Sequence, residues 1–209
     1  MEAAEQYAEA YLTGLSLRPE RFSKQEMRLG KTPDFRVFRD SDLVAYCEAK
    51  HVQHDEWLDQ QLEAAQPLQL VGGLRPDPVF NRLTAHIHKA AQQFAAVNPQ
   101  RVYPNILVLA NFDRACEFRD QLLGVLTGNF YGEGSVVEPI FEQFSNGRIL
   151  YEKVTIDAYV WWDGWKNDPR PRHWYWENSP RYATVSMLLK TDPAAHRKVP
   201  ASQREAGTV

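Results

Sequence analysis

Three side chains of this sequence, Asp34, Glu48 and Lys50, have the types and spacing that hydrolytic chemistry uses. They lie in Thr32 to His51, which reads TPDFRVFRDSDLVAYCEAKH. Two short apolar runs, Phe35 to Phe38 and Leu43 to Cys47, flank Asp40-Ser41-Asp42, and this pattern predicts a β-hairpin with a three-residue loop. With Arg39 paired to Leu43 across the loop, Asp34 falls directly opposite Glu48. Alternation along the strand puts Glu48 and Lys50 on one face, and Asp34 shares it. Two carboxylates about 5 Å apart repel by roughly 3 kcal/mol at an effective dielectric near 20. One lysine offsets only part of that. A hard divalent cation takes carboxylate oxygens and keeps several waters, so it suits the gap. A lysine beside it can orient or deprotonate a water, which points to metal-assisted hydrolysis. The alternative is a structural hairpin whose charges are simply solvated.

Pro33-Asp34, followed on the next strand by Glu48-Ala49-Lys50, resembles the signature of the PD-(D/E)XK, restriction-endonuclease-like nucleases. Glu48-Ala49-Lys50 is the only acidic-x-Lys triplet in the chain, and the other Pro-Asp pair, Pro76-Asp77, has none downstream. The resemblance implies that Asp34, Glu48 and the Ala49 carbonyl hold Mg2+, with Mn2+ as a substitute, while Lys50 assists the attacking water. In many such enzymes a glutamate on the first helix completes the site; Glu5 fits that place, with Glu9 in reserve. A polar residue on the helix after the hairpin often leans into the site, and Lys89 and Gln93 fit as substrate-side residues. The resemblance covers roughly Glu5 to Asn111 and further implies a restriction-endonuclease-like mixed central sheet flanked by helices. The chain length suits one α/β domain, taken as residues 1–190, and 191–209, polar and without periodicity, reads as a loose tail. The activity that the resemblance implies is phosphodiester hydrolysis in nucleic acid, DNA in preference to RNA, endo- or exonucleolytic. A different class remains open: a non-catalytic nucleic-acid-binding or protein-interaction module on the same fold.

The elements that would position these residues follow from periodicity. Tyr7, Ala8, Tyr11, Leu12 and Leu15 recur at helical spacing within Met1 to Leu15. Arg18 to Lys31 is too polar to assign. Asp55 to Gln66 reads as a helix with Trp57, Leu58, Gln61 and Leu62 on its apolar side, and Pro67 to Pro78 as a long loop. Asn81 to Val97 is the clearest helix, capped by Asn81, with Leu83, Ile87, Ala90 and Phe94 as its stripe. His86, Lys89 and Gln93 line one flank. Tyr103 to Asn111 reads as a buried central strand parallel to the Glu48 strand. Cys116 to Leu126 reads as a helix with Phe118, Leu122, Leu123 and Leu126 inward, Pro139 to Phe144 as a short helix, and Leu150 to Trp162 as a strand. Tyr182 to Lys190 is ambiguous between helix and strand.

Five of six tryptophans fall between Trp161 and Trp176, among Lys166, Arg170, Arg172 and His173. Aromatics interleaved with cations can stack bases and neutralise phosphates, which makes Arg170 and Arg172 substrate-binding candidates. An aromatic core edge overlaid by arginines is the other reading. His51, His54, His86 and His88 lie on separate segments and do not make a zinc pattern.

Composition bounds the rest. The chain has 209 residues, 44% hydrophobic and 24% charged, with a net charge of −3. That suits a globular domain rather than a globally basic binder, so nucleic acid would have to meet a local basic groove. Two cysteines, Cys47 and Cys116, make no disulfide framework and suit a reducing compartment. No signal-peptide pattern opens the sequence and no apolar run has membrane-spanning length, so a cytoplasmic protein without membrane contact is expected. A homodimer is left open.

Overall fold

A computed structural model describes residues 2–54, 56–71, 79–114, 116–131, 137–139, 149–166, 170–175 and 179–191. Helix α1 (Ala3–Gly14) opens the fold. Its Ala4, Ala8 and Leu12, at fourfold spacing, are buried, and Glu2 and Glu5 close a capping box at its N-terminus. The polar stretch that follows holds an edge strand, β1 (Arg18–Arg21), and a short helix, α2 (Lys24–Leu29). Ser23 caps α2 by accepting the Glu26 N–H at 3.2 Å. Neither element has apolar periodicity. One is an exposed edge and the other is set by its cap.

The hairpin forms as β2 (Phe35–Arg39) and β3 (Asp42–Val52), with one correction. Arg39 pairs with Asp42, not Leu43, so the loop is the two residues Asp40 and Ser41. Asp40 adopts the left-handed region at φ 56° that such a turn needs. Farther along, Phe38 pairs with Leu43 but Val37 with Ala45, which leaves Val44 as a bulge. The shorter loop and the bulge cancel. Phe35 pairs with Cys47, and one step beyond lie Asp34 and Glu48.

After β3 come α3 (Trp57–Ala64) and α4 (Val79–Val97). Helix α4 begins two residues before Asn81, so Asn81 lies inside the first turn and is not the cap. Leu62 of α3, expected inward, is exposed. The remaining elements are β4 (Asn105–Asn111), a π-helical turn (Phe118–Leu122) running into α5 (Leu123–Thr127), β5 (Asn129–Tyr131), β6 (Val137–Pro139), α6 (Leu150–Thr155), β7 (Ala158–Asp163), β8 (Arg172–Tyr175) and α7 (Tyr182–Leu188).

The molecule is a mixed α/β structure around an open six-stranded sheet, in the order β1-β2-β3-β4-β7-β8. β3, β4 and β7 run parallel, and β1, β2 and β8 are antiparallel to their neighbours. β5 and β6 make a separate two-stranded sheet. One face packs Ala4, Ala8 and Leu12 of α1 and Val185 and Leu188 of α7 against Cys47, Ala49, Val108 and Val160. The other packs Leu83, Ile87, Ala90 and Phe94 of α4 with Leu122 and Leu126 against Leu107, Leu109, Tyr159 and Trp161. With both faces covered, every residue of β4 is buried, which is why that strand reads as a continuous apolar run.

Two expectations are corrected here. Leu150 to Thr155 is helix, not strand. Six residues with Tyr151 and Val154 exposed carry too little periodicity to separate the two. In β7 the Ile156/Ala158/Val160/Trp162 alternation does not face solvent on its other side, because Tyr159 and Trp161 are also fully buried. Pro139 ends β6; the rest of the short helix expected over Pro139 to Phe144 lies outside the described residues. So do residues 72–78 of the long loop, Trp176, and the tail beyond Thr191. Among the described residues no helix is long and apolar enough to cross a membrane.

The C-terminal ends of the parallel strands carry a chain of ring contacts: His51 edge-on to Phe112 (4.5 Å), Phe112 to Trp162 (5.6 Å), and Trp162 stacked on Tyr7 of α1 (4.1 Å). Gly164 sits against this chain, and its N–H donates to the Asn111 carbonyl at 2.8 Å. A Cβ there would stand 2.6 Å from the Phe112 ring and 2.8 Å from that of Trp162. Gly164→Ala should therefore lower stability by about 1–3 kcal/mol, the range for overpacking. A Tm unchanged in a thermal melt would show that the rings give way freely.

Candidate active site

The geometry grows from the point where β2 stops. Along a strand, a residue's N–H and C=O project to the same edge. The Tyr46 N–H donates toward β4, to the Pro104 carbonyl at 2.9 Å, so Cys47, Ala49 and His51 present theirs on the β2 side. β2 begins only at Phe35, opposite Cys47, and the edge from Ala49 onward has no ladder partner there among the described residues. The Asp34 carboxylate takes the vacated place: the Ala49 N–H donates to Asp34 Oδ2 at 2.8 Å. In return, the Asp34 N–H donates to Glu48 Oε2 at 2.9 Å. The Glu48 carboxylate thus lies against the Asp34 main chain, and the Asp34 charge acts on it. The Ala49 carbonyl projects to the same edge.

Lys50 Nζ donates to Glu48 Oε1 and, at 3.1 Å, to Gln93 Oε1 on α4. Gln93 uses its other end on the Thr32 carbonyl, to which Nε2 donates at 2.8 Å. One amide thus ties the lysine and the segment before Asp34 to the same helix. The next residue, Gln92, accepts from Lys31 Nζ and repeats the tie one position over.

Glu48 is 1% exposed, and this burial, then the nearby Asp34 charge, pushes its carboxyl up to about 7 against the pull of Lys50 and Gln93. Asp34 is raised as well, by burial first and by the charge of Glu5, with the Ala49 N–H opposing. Glu5 is therefore close enough to act on Asp34, but its carboxylate is engaged elsewhere. Arg21 Nη2 donates to Glu5 Oε2 at 2.6 Å, and the Glu2 N–H donates to the same oxygen at 3.1 Å. Partial burial works to raise Glu5, yet the Arg21 bond, the Glu2 N–H and the Arg21 charge outweigh it, and the group lies below its usual range.

So Asp34, Glu48, the Ala49 backbone and Lys50 come together, Gln93 joins through Lys50, and Glu5 stands beside them on Arg21. Glu9 makes no contact with this group among the hydrogen bonds and ion pairs described. Lys89 lies on the Gln93 flank of α4 and is exposed. Arg172 is three strands away, at the level of Lys50, since Lys50 pairs with Leu109, Leu109 with Trp161 and Trp161 with Arg172. At ordinary strand spacing that is about 14 Å. Its guanidinium is bound to the buried Asp163, which also takes Lys166, Trp161 and Asn111. Arg170 precedes β8 and is exposed. Arg21 and Thr32 bear on the centre without having been legible as site residues, since they lie in or beside the unassignable polar stretch. His86 had a signal in its spacing with Lys89 and Gln93.

Among the described residues no three His, Cys, Asp or Glu side chains gather into a ready-made metal cage. The available donors are two carboxylates and a backbone carbonyl, all hard oxygens. That set fits Mg2+, which retains most of its waters, and not zinc. Compared with family models, with curated proteins and with solved structures, the chain matches none.

A buried carboxyl raised in the folded state gives stability that is complete below its unfolded value and is lost as pH rises through its folded value. For Glu48 that window runs from 4.5 to about 7. At 1.4 kcal/mol per unit the loss is at most about 3 kcal/mol, shared with Asp34. Glu48→Gln removes it, so the variant should gain on the wild type as pH rises from 5 to 8, by about 1–3 kcal/mol at the top of the range. Denaturant unfolding at several pH values checks this; a difference independent of pH would mean Glu48 titrates normally.

Proposed function

We propose that the chain is a Mg2+-dependent nuclease of the restriction-endonuclease-like kind, hydrolysing phosphodiester bonds in DNA in preference to RNA, with Mn2+ able to replace Mg2+. The observation that carries this reading is the pairing of Asp34 and Glu48 across the end of β2, with Lys50 on the same carboxylate. A structural hairpin needs acceptors for the Ala49 and Asp34 N–H groups, but uncharged side chains would serve and bury no charge. Replacing such a buried ion pair by apolar residues is often neutral or stabilising, so its presence asks for a reason beyond folding.

Asp34, Glu48 and the Ala49 carbonyl would hold the cation. Bound there, Mg2+ would offset negative charge on the phosphate and make a neighbouring water more acidic. Lys50, as an ammonium, would orient that water and steady the negative charge that develops as it attacks. Gln93 keeps the lysine aimed by bonding its ammonium. The buried Glu48 takes up a proton more readily than an exposed carboxylate, so metal binding should tighten as pH rises through about 7 and level off above.

A second reading has its own observation. Lys50 neutralises Glu48 and Arg21 neutralises Glu5 within the protein, as a domain that binds without cutting could retain. Cleavage separates the two. Assayed on single-stranded, duplex and branched DNA and on RNA, the protein should cut at least one substrate with Mg2+ or Mn2+ and none in EDTA, while Ca2+ supports binding better than cutting. Asp34→Ala should abolish metal binding and cleavage together. Lys50→Ala should keep the metal and lose about 100-fold in rate. Nucleic acid bound equally by wild type and both variants, with no metal-dependent cutting of any substrate, would leave the binding module.

A further inference from the structure

Helix α4 turns one flank to the candidate centre, and its two ends are fastened. Near the C-terminus of α4, Gln93 holds Lys50 and the Thr32 carbonyl. Near the N-terminus, Arg82 donates to the Gln53 carbonyl at 2.8 Å and to the buried Asp113 at 2.8 Å. The helix therefore runs antiparallel to the end of β3, with Gln93 beside Lys50 and Arg82 beside Gln53. Between these anchors, at helical spacings of three and four, stand His86 and Lys89.

His86 is half-buried, and Lys50, Lys89, Arg82 and His51 all act on it. Burial first, then these charges in that order, bring its imidazole down to about 4, so the ring is neutral at physiological pH. The surrounding charges do not balance. Lys50 has Glu48 and Arg82 has Asp113, but among the described residues no carboxylate pairs with Lys89, His86 or His51. Beside them, past Ala49, the β2-side edge of β3 pairs with no strand among the described residues. The result is a helix flank on which Lys89 is a cation without a paired carboxylate among the described residues, one turn from the neutral His86 ring. A cation and a neutral N–H donor one turn apart suit a phosphate.

We propose that Lys89 and His86 form a subsite for the backbone phosphate adjoining the one at the carboxylate centre, so that a nucleic-acid strand lies along α4 toward the C-terminal end of β3. Lys89 supplies a point charge and His86 a neutral ring whose N–H donates to a phosphate oxygen. The rise from Gln93 to Lys89 is about 6 Å, comparable to the step between neighbouring phosphates along a strand. This rests on the nuclease reading for the position of the cut. It adds a direction to the substrate and assigns His86, which that reading leaves unused.

The test is fluorescence anisotropy of short DNA strands with Ca2+, at two salt concentrations, for wild type, Lys89→Ala, His86→Ala and the double variant. The strands form a set, each with one neutral methylphosphonate at a different position. Lys89→Ala should weaken binding several-fold and lower the salt slope by about 1. His86→Ala should weaken binding with the slope unchanged, since a neutral donor is lost. In wild type, one methylphosphonate position next to the cut should weaken binding; in the double variant that position should no longer matter. A double variant that binds as wild type does, or keeps the same positional profile, overturns the subsite. Cleavage with Mg2+ by the wild type, measured in parallel, shows separately whether the nuclease reading stands. A wild type that binds no nucleic acid overturns both.

Discussion

The centre depends on a single unfinished ladder. β2 gives out one residue before it would pair with Glu48, and the Ala49 N–H is left without a strand to donate to. A buried backbone donor left unpaired costs about 1–3 kcal/mol, so some acceptor must take it. Asp34 Oδ2 does, and the Glu48 carboxylate takes the Asp34 N–H in exchange. Side chains thus finish what the backbone leaves incomplete. The same exchange brings two carboxylates together, because each one's position is fixed by the other strand's main chain. Their repulsion is a by-product of satisfying hydrogen bonds, and Lys50 is the internal answer to it.

Helices on the two faces of the sheet then divide the work. α4 holds the lysine and the approach to Asp34 through Gln93, so the cation-bearing side of the centre moves with one rigid element. α1 brings Glu5 within electrostatic reach of Asp34 but gives its oxygen to Arg21 and to the capping box. Glu5 therefore does two structural tasks at once, closing a helix N-terminus and tying α1 to β1. A residue read as an active-site carboxylate is also part of what holds α1 to the sheet edge.

How much of this the sequence carries varies with the physics of each part. The hairpin was readable because one buried face imposes period-two alternation, and β4 because two buried faces impose a continuous apolar run. β1 and α2 were not. An edge strand with a largely exposed pattern and a six-residue helix fixed by Ser23 and Glu26 have no apolar period to find. Leu150 to Thr155 failed for the related reason that six residues span under two helical turns. Arg172 shows a different limit. Local composition makes it look like a free cation, whereas Asp163, nine positions away, binds it after the chain has turned back as β8. Glu48, Lys50 and Asp34 converge as the alternation required, but no local pattern announced that Gln93 would bridge Lys50 and Thr32, since that contact spans two crossings of the chain.

The hairpin carries one further implication. The loop is one residue shorter than the pattern suggested, yet Asp34 still falls opposite Glu48, because Val44 steps out of the ladder between tip and motif. The bulge acts as a vernier, setting the phase of the motif independently of the tip. A hairpin with a three-residue tip and no bulge would present the same pair of carboxylates in the same phase. Tip length and ladder regularity are thus interchangeable here. In aligning chains of this design, residues at the turn need not correspond even where those at the site do.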